Sequence, residues 1–382
     1  MVYKLNQKMF RNKNKLRLDY IPSQIFYREL YIDKLLDFVE RASLNFGDSK
    51  YFMISGSSGS GKTMLINYVI RKLEPKIDKL TSFKVVSINC KHDRTPGMIS
   101  KTILSKISDN ISLKGYSSEE MLSKSLHIIK KNRLNVLIIM ENSDIFFKQN
   151  PQFIYKMMRL NEVFPRSSCP SIIFTVQNKE LLKKIDKEIF GILVGNTFHM
   201  KEYNREQIKN VLRYRSSEAF NYESISEKII DICVEKAYLN KSNIKYAIKL
   251  LLLSGTSADK AKCSQIKEEH IQNVSLNIHP ELDESDLNNL KLTEKMILLA
   301  LTDLSETTEF VSMGKLKSQY NEICKKNSIK PINHTWFWLT IRDLADLGFI
   351  NKRLSGKGMR GRTTLISLPE NSQSFFRNIL LI

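Results

Sequence analysis

The sequence predicts three folded parts in order: an α/β P-loop domain, an all-helical domain and a C-terminal winged helix. Three observations carry this prediction. Gly56-Ser57-Ser58-Gly59-Ser60-Gly61-Lys62-Thr63 fits G-x-x-x-x-G-K-[ST] and stands between a short apolar run and a stretch of helical periodicity. Strand signals stop near residue 200 and successive amphipathic helices follow. The final part reads as three helices and then two short strands joined by a glycine- and arginine-rich tip.

Tyr51-Phe52-Met53-Ile54 is the first strand, and Met64 to Leu73 carries apolar residues at helical spacing. Phe83 to Ile88 is a second strand, Val136 to Met140 a third and Ser171 to Val176 a fourth. The third is apolar throughout, as a strand covered on both faces should be. Strands separated by helices imply a parallel sheet between helical layers. Arg205 to Phe220, Ile225 to Tyr238, Asn243 to Ser254 and Lys267 to Asn277 read as helices. Asn277-Ile278-His279-Pro280 breaks the pattern, and the acidic stretch Glu281 to Asp286 reads as a linker. Helices at Thr293 to Leu304, Val311 to Lys326 and Thr335 to Leu347 come next, then strands Phe349 to Leu354 and Thr363 to Leu368. The expected division is 1–200 for the N-terminal arm and α/β base, 201–280 for the helical part, 281–289 for the linker and 290–382 for the winged helix.

The length of 382 residues suits two or three domains at about 150 residues each. With 42% hydrophobic and 26% charged residues, collagen-like, disulfide-scaffold and mostly disordered classes are excluded. Sixty Lys+Arg against forty Asp+Glu give a net charge of +20. That excess favours a polyanionic partner, nucleic acid before an anionic membrane surface, over a lysine bias spread on solvated faces. Cys90, Cys169, Cys233, Cys263 and Cys324 are scattered, without C-x-x-C spacing, which argues against a zinc site and for a reducing, cytoplasmic interior. Met1 to Arg17 has six basic residues but no apolar segment, so it is not a secretory signal.

The chemistry concentrates at the glycine-rich loop. Gly59, Ser60 and Gly61 let backbone N–H groups turn around phosphate oxygens, and the following helix N-terminus adds its positive end. Lys62 would reach the β- and γ-phosphates of ATP or ADP, and Thr63 would offer a hydroxyl to Mg²⁺. A P-loop enzyme also needs carboxylates at the tip of a neighbouring apolar strand. There the sequence reads Glu141-Asn142-Ser143-Asp144. Glu141 stands where the Mg²⁺-holding acid belongs. Asn142 stands where the water-activating acid belongs, and an amide cannot accept a proton. In this register nucleotide is bound while hydrolysis is slow or absent. Asp144 is a candidate substitute, and a helix-capping role for Glu141 and Asp144 is the rival reading.

The ordered set resembles the archaeal origin-recognition and cell-division-cycle type of replication initiator, an initiator-clade AAA+ ATPase with a C-terminal winged helix. The resemblance covers nearly the whole chain. It rests on Tyr20-Ile21-Pro22 with Arg28-Glu29, on Asn89-Cys90-Lys91-His92 with Arg94-Thr95-Pro96, and on Tyr203 with Arg205-Glu206-Gln207 and Arg215. Ser242-Asn243-Ile244-Lys245-Tyr246-Ala247 resembles the lid's sensor-2 helix, and Arg360-Gly361-Arg362-Thr363 resembles the wing. It implies a helical lid, origin DNA as a partner, and paralogous initiator subunits and a replicative helicase as further partners. It also implies nucleotide contacts from Tyr203, Arg215 and Lys245. A second DNA contact from the base is implied near Pro96 to Tyr116, with Lys101, Lys106 and Lys114. The departures point to a divergent paralogue. The family usually has Asp-Glu where Glu141-Asn142 stand and arginine where Lys245 stands, and lysine lacks the planar fork. The sensor-1 asparagine falls on Gln177 or Asn178. A basic residue that would act on a neighbour's nucleotide is replaced in Asp186-Lys187-Glu188-Ile189.

At the C-terminal end, the third helix of a winged helix usually enters the major groove and the hairpin reaches backbone or minor groove. Thr335 is the expected helix cap. Thr335, Trp336 and Arg342 are candidate DNA contacts, with Trp336, Trp338 and Arg342 divided between packing and contact. The hairpin offers Lys352, Arg353, Lys357, Arg360 and Arg362 with no acid between 351 and 362, and arginine reads a narrow minor groove through its shape. The function expected is therefore a nucleotide-binding, DNA-binding initiator, cytoplasmic and associated with the nucleoid. In it the bound nucleotide sets how the chain grips DNA. A nucleotide-gated transcription regulator on the same scaffold is the alternative. A ring-forming motor ATPase is disfavoured by the acid at Glu188.

Overall fold

The computed structural model describes residues 9–44, 50–77, 82–108, 115–160, 170–178, 180, 187–241, 243–354 and 363–380. The chain divides into two compact units, 1–266 and 267–382.

The first unit is built on five parallel strands: β1 (Tyr51–Ser55), β2 (Phe83–Asn89), β3 (Asn135–Glu141), β4 (Ser171–Val176) and β5 (Thr197–His199), in the order β2-β3-β4-β1-β5. Helices α1 (Glu29–Leu44), α2 (Lys62–Ile77), α3 (Pro96–Ile107), α4 (Ser118–Lys131), α5 (Asp144–Gln149), α6 (Pro151–Met158) and α7 (Lys187–Leu193) accompany the sheet. The two-residue period of β3 explains its unbroken apolar run. Val136, Ile138 and Met140 join one core with Ile99, Ile103 and Leu126, while Leu137 and Ile139 join the other with Leu35, Leu65 and Val69. β3 ends where Glu141 emerges from between these two layers. β5, at the sheet edge beside β1, was not anticipated: three residues with a half-buried, buried, exposed pattern give no strand signal.

The lid comprises α8 (Arg205–Ala219), α9 (Glu227–Leu239) and α10 (Ile244–Lys260). Asn204 and Gln207 close a reciprocal cap on α8, and Asn243 caps α10 by accepting from the Tyr246 N–H at 3.1 Å. The N-terminal arm lies along the lid. Its 3₁₀ turn Lys13–Leu16 buries Leu16, Phe10 stacks on Phe220 with centroids 4.9 Å apart, and the Arg11 and Asn12 amides donate to the Ala219 carbonyl.

The second unit contains α11 (Glu268–Asn277), α12 (Glu284–Asn288), α13 (Leu292–Leu304), β6 (Val311–Ser312), α14 (Met313–Lys326), α15 (His334–Asp346), β7 (Asn351–Leu354), β8 (Thr364–Ser367) and α16 (Gln373–Leu380). The strands form an antiparallel sheet in the order β6-β8-β7. Residues 281–289, expected as a linker, are folded. They carry α12 and bury Asp286 and Leu287, and His279 Nδ1 accepts the Glu281 and Leu282 amides at 3.1 and 3.2 Å. Acidic composition marked a surface helix rather than a connector. α11, grouped by sequence with the lid, bonds to α16 through Ser374 Oγ to the Leu276 carbonyl and Asn378 Nδ2 to Asn277 Oδ1. The helix expected from Val311 begins at Met313, because Val311 and Ser312 pair with Ile366 and Leu365.

Candidate nucleotide site and nucleic-acid interface

The loop between β1 and α2 gathers the first unit's polar chemistry. Gly59 and Gly61 take φ of +76° and +95°, a region closed to most side chains. Ser60 is buried, and its Oγ has no hydrogen-bond partner among the described residues. Lys62 folds back so that Nζ donates to the Gly56 and Ser57 carbonyls at 2.6 and 2.9 Å. Burial lowers its ammonium to about 8, against the opposing pull of the Asp144 and Glu141 carboxylates. Thr63 Oγ1 donates to Glu141 Oε2 at 2.7 Å. The structure thus brings together a glycine-hinged loop, an ammonium, a hydroxyl and a carboxylate. That donor set fits a polyphosphate with a hard divalent cation.

Asn142 is held apart from that set. Its backbone is left-handed, φ +55°, its N–H donates to Thr175 Oγ1 at 3.1 Å, and its side-chain Nδ2 donates to Asn89 Oδ1 at 3.0 Å. Asp144, the first residue of α5, accepts the Gln177 N–H at 2.9 and 3.0 Å and the Asn178 N–H at 3.4 Å. Burial raises its carboxyl above the usual carboxylate range, although those amides oppose the shift. Of the two sensor-1 candidates, Asn178 turns its Oδ1 to the Glu180 N–H, and Gln177 is exposed.

Tyr203 is buried, and burial pushes its phenol up. The Arg28 guanidinium lies 3.7 Å from its ring centroid. Arg28 is itself buried; Nη2 donates to the Ser60 carbonyl at 3.2 Å and the Lys201 carbonyl at 2.9 Å. It therefore bolts the P-loop to the segment that enters the lid. The motif that contains Arg28 carries no sign of this contact, which joins segments far apart in the chain. Arg215 is also buried, with Nε on the Lys15 carbonyl at 2.7 Å and Nη2 on the Arg17 carbonyl at 3.0 Å, so its guanidinium fastens the N-terminal arm. Lys245 is half-buried in the first turn of α10. The lid residue that meets the loop is Asn243: a Cβ on Gly59 would stand 1.9 Å from its Oδ1. It lies in the segment that resembles the sensor-2 helix, where the resemblance points to Lys245 as the nucleotide contact and not to Asn243.

In the second unit, Asn333 rather than Thr335 caps α15, accepting the Trp336 N–H at 2.9 Å. Asparagine two positions earlier outcompetes the threonine, which becomes an exposed first-turn residue. Phe337, Ile341 and Leu344 are buried, while Trp336 and Trp338 are exposed. Arg342 pairs with Asp343 at 3.3 Å. β7 is exposed along its length. It carries Lys352 and Arg353, the latter 3.4 Å over the Phe310 ring. Lys357, Arg360 and Arg362 in the tip, Lys114 near the base, Ser242 beside the lid cap and Asp186 lie outside the described residues, as does the side chain of Glu188. Lys101 and Lys106 are exposed on α3, and no helix among the described residues is long and apolar enough to cross a membrane.

Three family profiles match along the chain. They are described as an AAA domain over residues 47–185, a Cdc6 AAA+ ATPase-type lid domain over 209–275, and a CDC6 C-terminal winged helix domain over 285–377. The ORC1-type DNA replication protein 2 of Saccharolobus solfataricus is 28% identical over 372 residues, covering 94% of this chain and 90% of that protein. The ORC1-type DNA replication protein of Pyrococcus abyssi is 25% identical over 381 residues, covering 97% and 90%. The Aeropyrum pernix ORC1 protein, solved in complex with DNA, shares the fold at a TM-score of 0.79 with 21% identity, covering 98% of this chain and 97% of that one. The Aeropyrum pernix ORC2 protein, solved as ADPNP-ADP complexes, gives 0.62 and 17%, covering 98% of each.

Proposed function

This chain belongs to the Orc1/Cdc6 family of AAA+ proteins, and on that premise we propose that it is a nucleotide-holding, DNA-binding replication initiator whose hydrolysis is slow or lost. The observation that carries the proposal is the split between two neighbouring residues. Glu141 meets Thr63 at 2.7 Å, while Asn142 turns its amide to Asn89. The first pairing suits Mg²⁺ beside ATP or ADP. Mg²⁺ neutralises charge on the phosphates when bound. The second leaves no proton acceptor where a water would be activated, and Asp144 is occupied by the Gln177 and Asn178 amides.

Backbone N–H groups of Gly59, Ser60 and Gly61 cradle phosphate, Lys62 supplies its charge, and the first turn of α10 with Lys245 approaches from the lid. Arg28 and Tyr203 hold the junction on which that lid is mounted. Arg215 keeps the arm seated on α8. DNA is taken by the second unit, through Thr335, Trp336 and Arg342 on α15 and through the wing with Lys352, Arg353, Lys357, Arg360 and Arg362. The relative solved with DNA supports the choice of ligand by likeness. Nucleotide and DNA affinities are then linked, each altering the other by the same factor. Paralogous initiator subunits and a replicative helicase complete the proposed partnership, in the cytoplasm on the nucleoid. A retained nucleotide equally suits a gated transcription regulator. Occupancy at a few origins supports the first role, and occupancy at many promoters the second.

The test is extraction of nucleotide from purified protein alongside duplex binding at several salt concentrations. About one adenine nucleotide per chain, lost in Lys62→Ala, and salt-dependent duplex binding are expected. Protein free of nucleotide, or indifferent to duplex at low salt, would end the proposal.

A further inference from the structure

We propose that Phe310 is a positioning residue for duplex DNA: its ring holds the Arg353 guanidinium in the orientation that grips a backbone phosphate at the stem of the wing. The proposal rests on the DNA-binding reading above. It goes further by naming phosphate as the group that Arg353 takes and Phe310 as the residue that aims it. Phe310 stands just before β6 and Arg353 on β7, and the sheet brings them together. Ser312 pairs with Leu365 and Leu365 with Arg353, so these three share one face. The two-residue period returns Phe310 to that face, while the buried pair Val311 and Ile366 takes the other. Across the shared face the Arg353 Cζ lies 3.4 Å from the ring centroid of Phe310. The ring is half-buried and the arginine exposed.

The other described arginines of the second unit meet carboxylates: Arg342 pairs with Asp343 and Arg377 with Glu306. Arg353 has no carboxylate partner among the described residues, although Glu309 adjoins the ring. The difference is chemical. A guanidinium stacked on a ring is held through its face, and its N–H groups lie in its plane. Stacking therefore fixes the fork without occupying a donor, whereas an ion pair fixes it by occupying two. A phosphate takes two such donors side by side. An arginine that swings freely must give up rotamer freedom when it grips a phosphate; one already stacked has given up much of it on folding. The place of Arg353 also suits phosphate better than a base edge. β7 is an edge strand, exposed along its length, and leads into the tip of the wing. A residue on this stem meets the backbone beside the groove that the tip enters.

Full-length variants titrated against labelled duplex DNA at several salt concentrations test the proposal, with anisotropy as the readout. Arg353→Ala should lower the log–log salt slope by about one unit and weaken binding alike on unrelated sequences. Phe310→Leu keeps an apolar side chain but removes the π face. It should weaken binding about two- to fivefold with the slope unchanged, because the charge still reaches the phosphate. Phe310→Tyr should bind as the wild type does. In an Arg353→Ala background Phe310→Leu should cost nothing further, a coupling that a merely structural ring would not produce. Wild-type affinity in Phe310→Leu overturns the proposal, as do equal losses in the two backgrounds or an unchanged slope in Arg353→Ala. Should Phe310→Leu fail to fold, the exposed change Arg353→Lys decides, since it keeps the charge and removes the fork: weaker binding at an unchanged slope is expected, and wild-type affinity overturns the proposal. All of these outcomes leave the DNA-binding reading intact. A wild type that ignores duplex at low salt would overturn both.

Discussion

Gly59 pairs a φ of +76° with the close approach of Asn243, and either alone would exclude a side chain. Gly59→Ala is predicted to cost about 1–3 kcal/mol, because the new Cβ must displace the cap of α10 and hold a left-handed backbone. Denaturant unfolding measures the cost, and an unchanged midpoint would contradict it. Lys62 makes a second prediction. Its amine loses its proton above about 8 because burial disfavours the charge, and a neutral amine no longer attracts phosphate. Nucleotide affinity should therefore fall as pH rises through about 8, with a labelled nucleotide as the probe and a flat profile as the contrary result. At this scale the loop was legible in the sequence because glycine spacing, lysine and threonine are local requirements of one turn. Arg28 and Asn243 were not legible as partners of the loop. The Arg28 guanidinium reaches the carbonyls of Ser60 and Lys201, and Asn243 comes to Gly59, only after distant segments fold together.

Among the elements, the N-terminal arm has the clearest energetic role. Phe10 stacks on Phe220, and both rings sit over Gly255, where a Cβ would come within 2.7 Å of each. Arg215 adds two charged donors to the arm's carbonyls. Phe10→Ala is predicted to destabilise the first unit by about 1–3 kcal/mol, for a half-buried ring with a stacked partner. Urea denaturation checks this, and no shift would mean that the arm merely rests on the lid. Burial also protects cysteines: Cys233 on α9, its thiol pushed up to about 12, should resist alkylation in the folded protein and react on unfolding. Mass spectrometry of the labelled peptides would expose early modification if α9 opened. Long periodic elements such as β3 and α10 were legible from their patterns. β5 and β6 were not, because strands of three and two residues owe their existence to a neighbour's edge, β1 in one case and β8 in the other. The cap of α15 went to Asn333 over Thr335 for a similar reason: both residue types suit the role, and only the folded backbone decides between them.

For the whole molecule, the order of parts was legible because each has its own signal: a phosphate loop, a change from alternating elements to helices, and a charged hairpin. The net charge of +20 gives the assembly its attraction to a polyanion. Lys352 and Arg353 on exposed β7 should each account for about one unit of the log–log salt slope of DNA binding where they touch phosphate. A Lys352→Ala, Arg353→Ala variant with an unchanged slope would remove β7 from the interface. We propose that this chain holds a nucleotide it does not consume, with Asn142, the residue proposed to replace a proton acceptor, tied to Asn89. Steady-state ATP turnover of the wild type and of Asn142→Glu tests it most directly. The wild type should run near background, and the glutamate should raise turnover by about 100-fold, as a positioned base does. Brisk wild-type turnover that Asn142→Glu leaves unchanged would contradict the account.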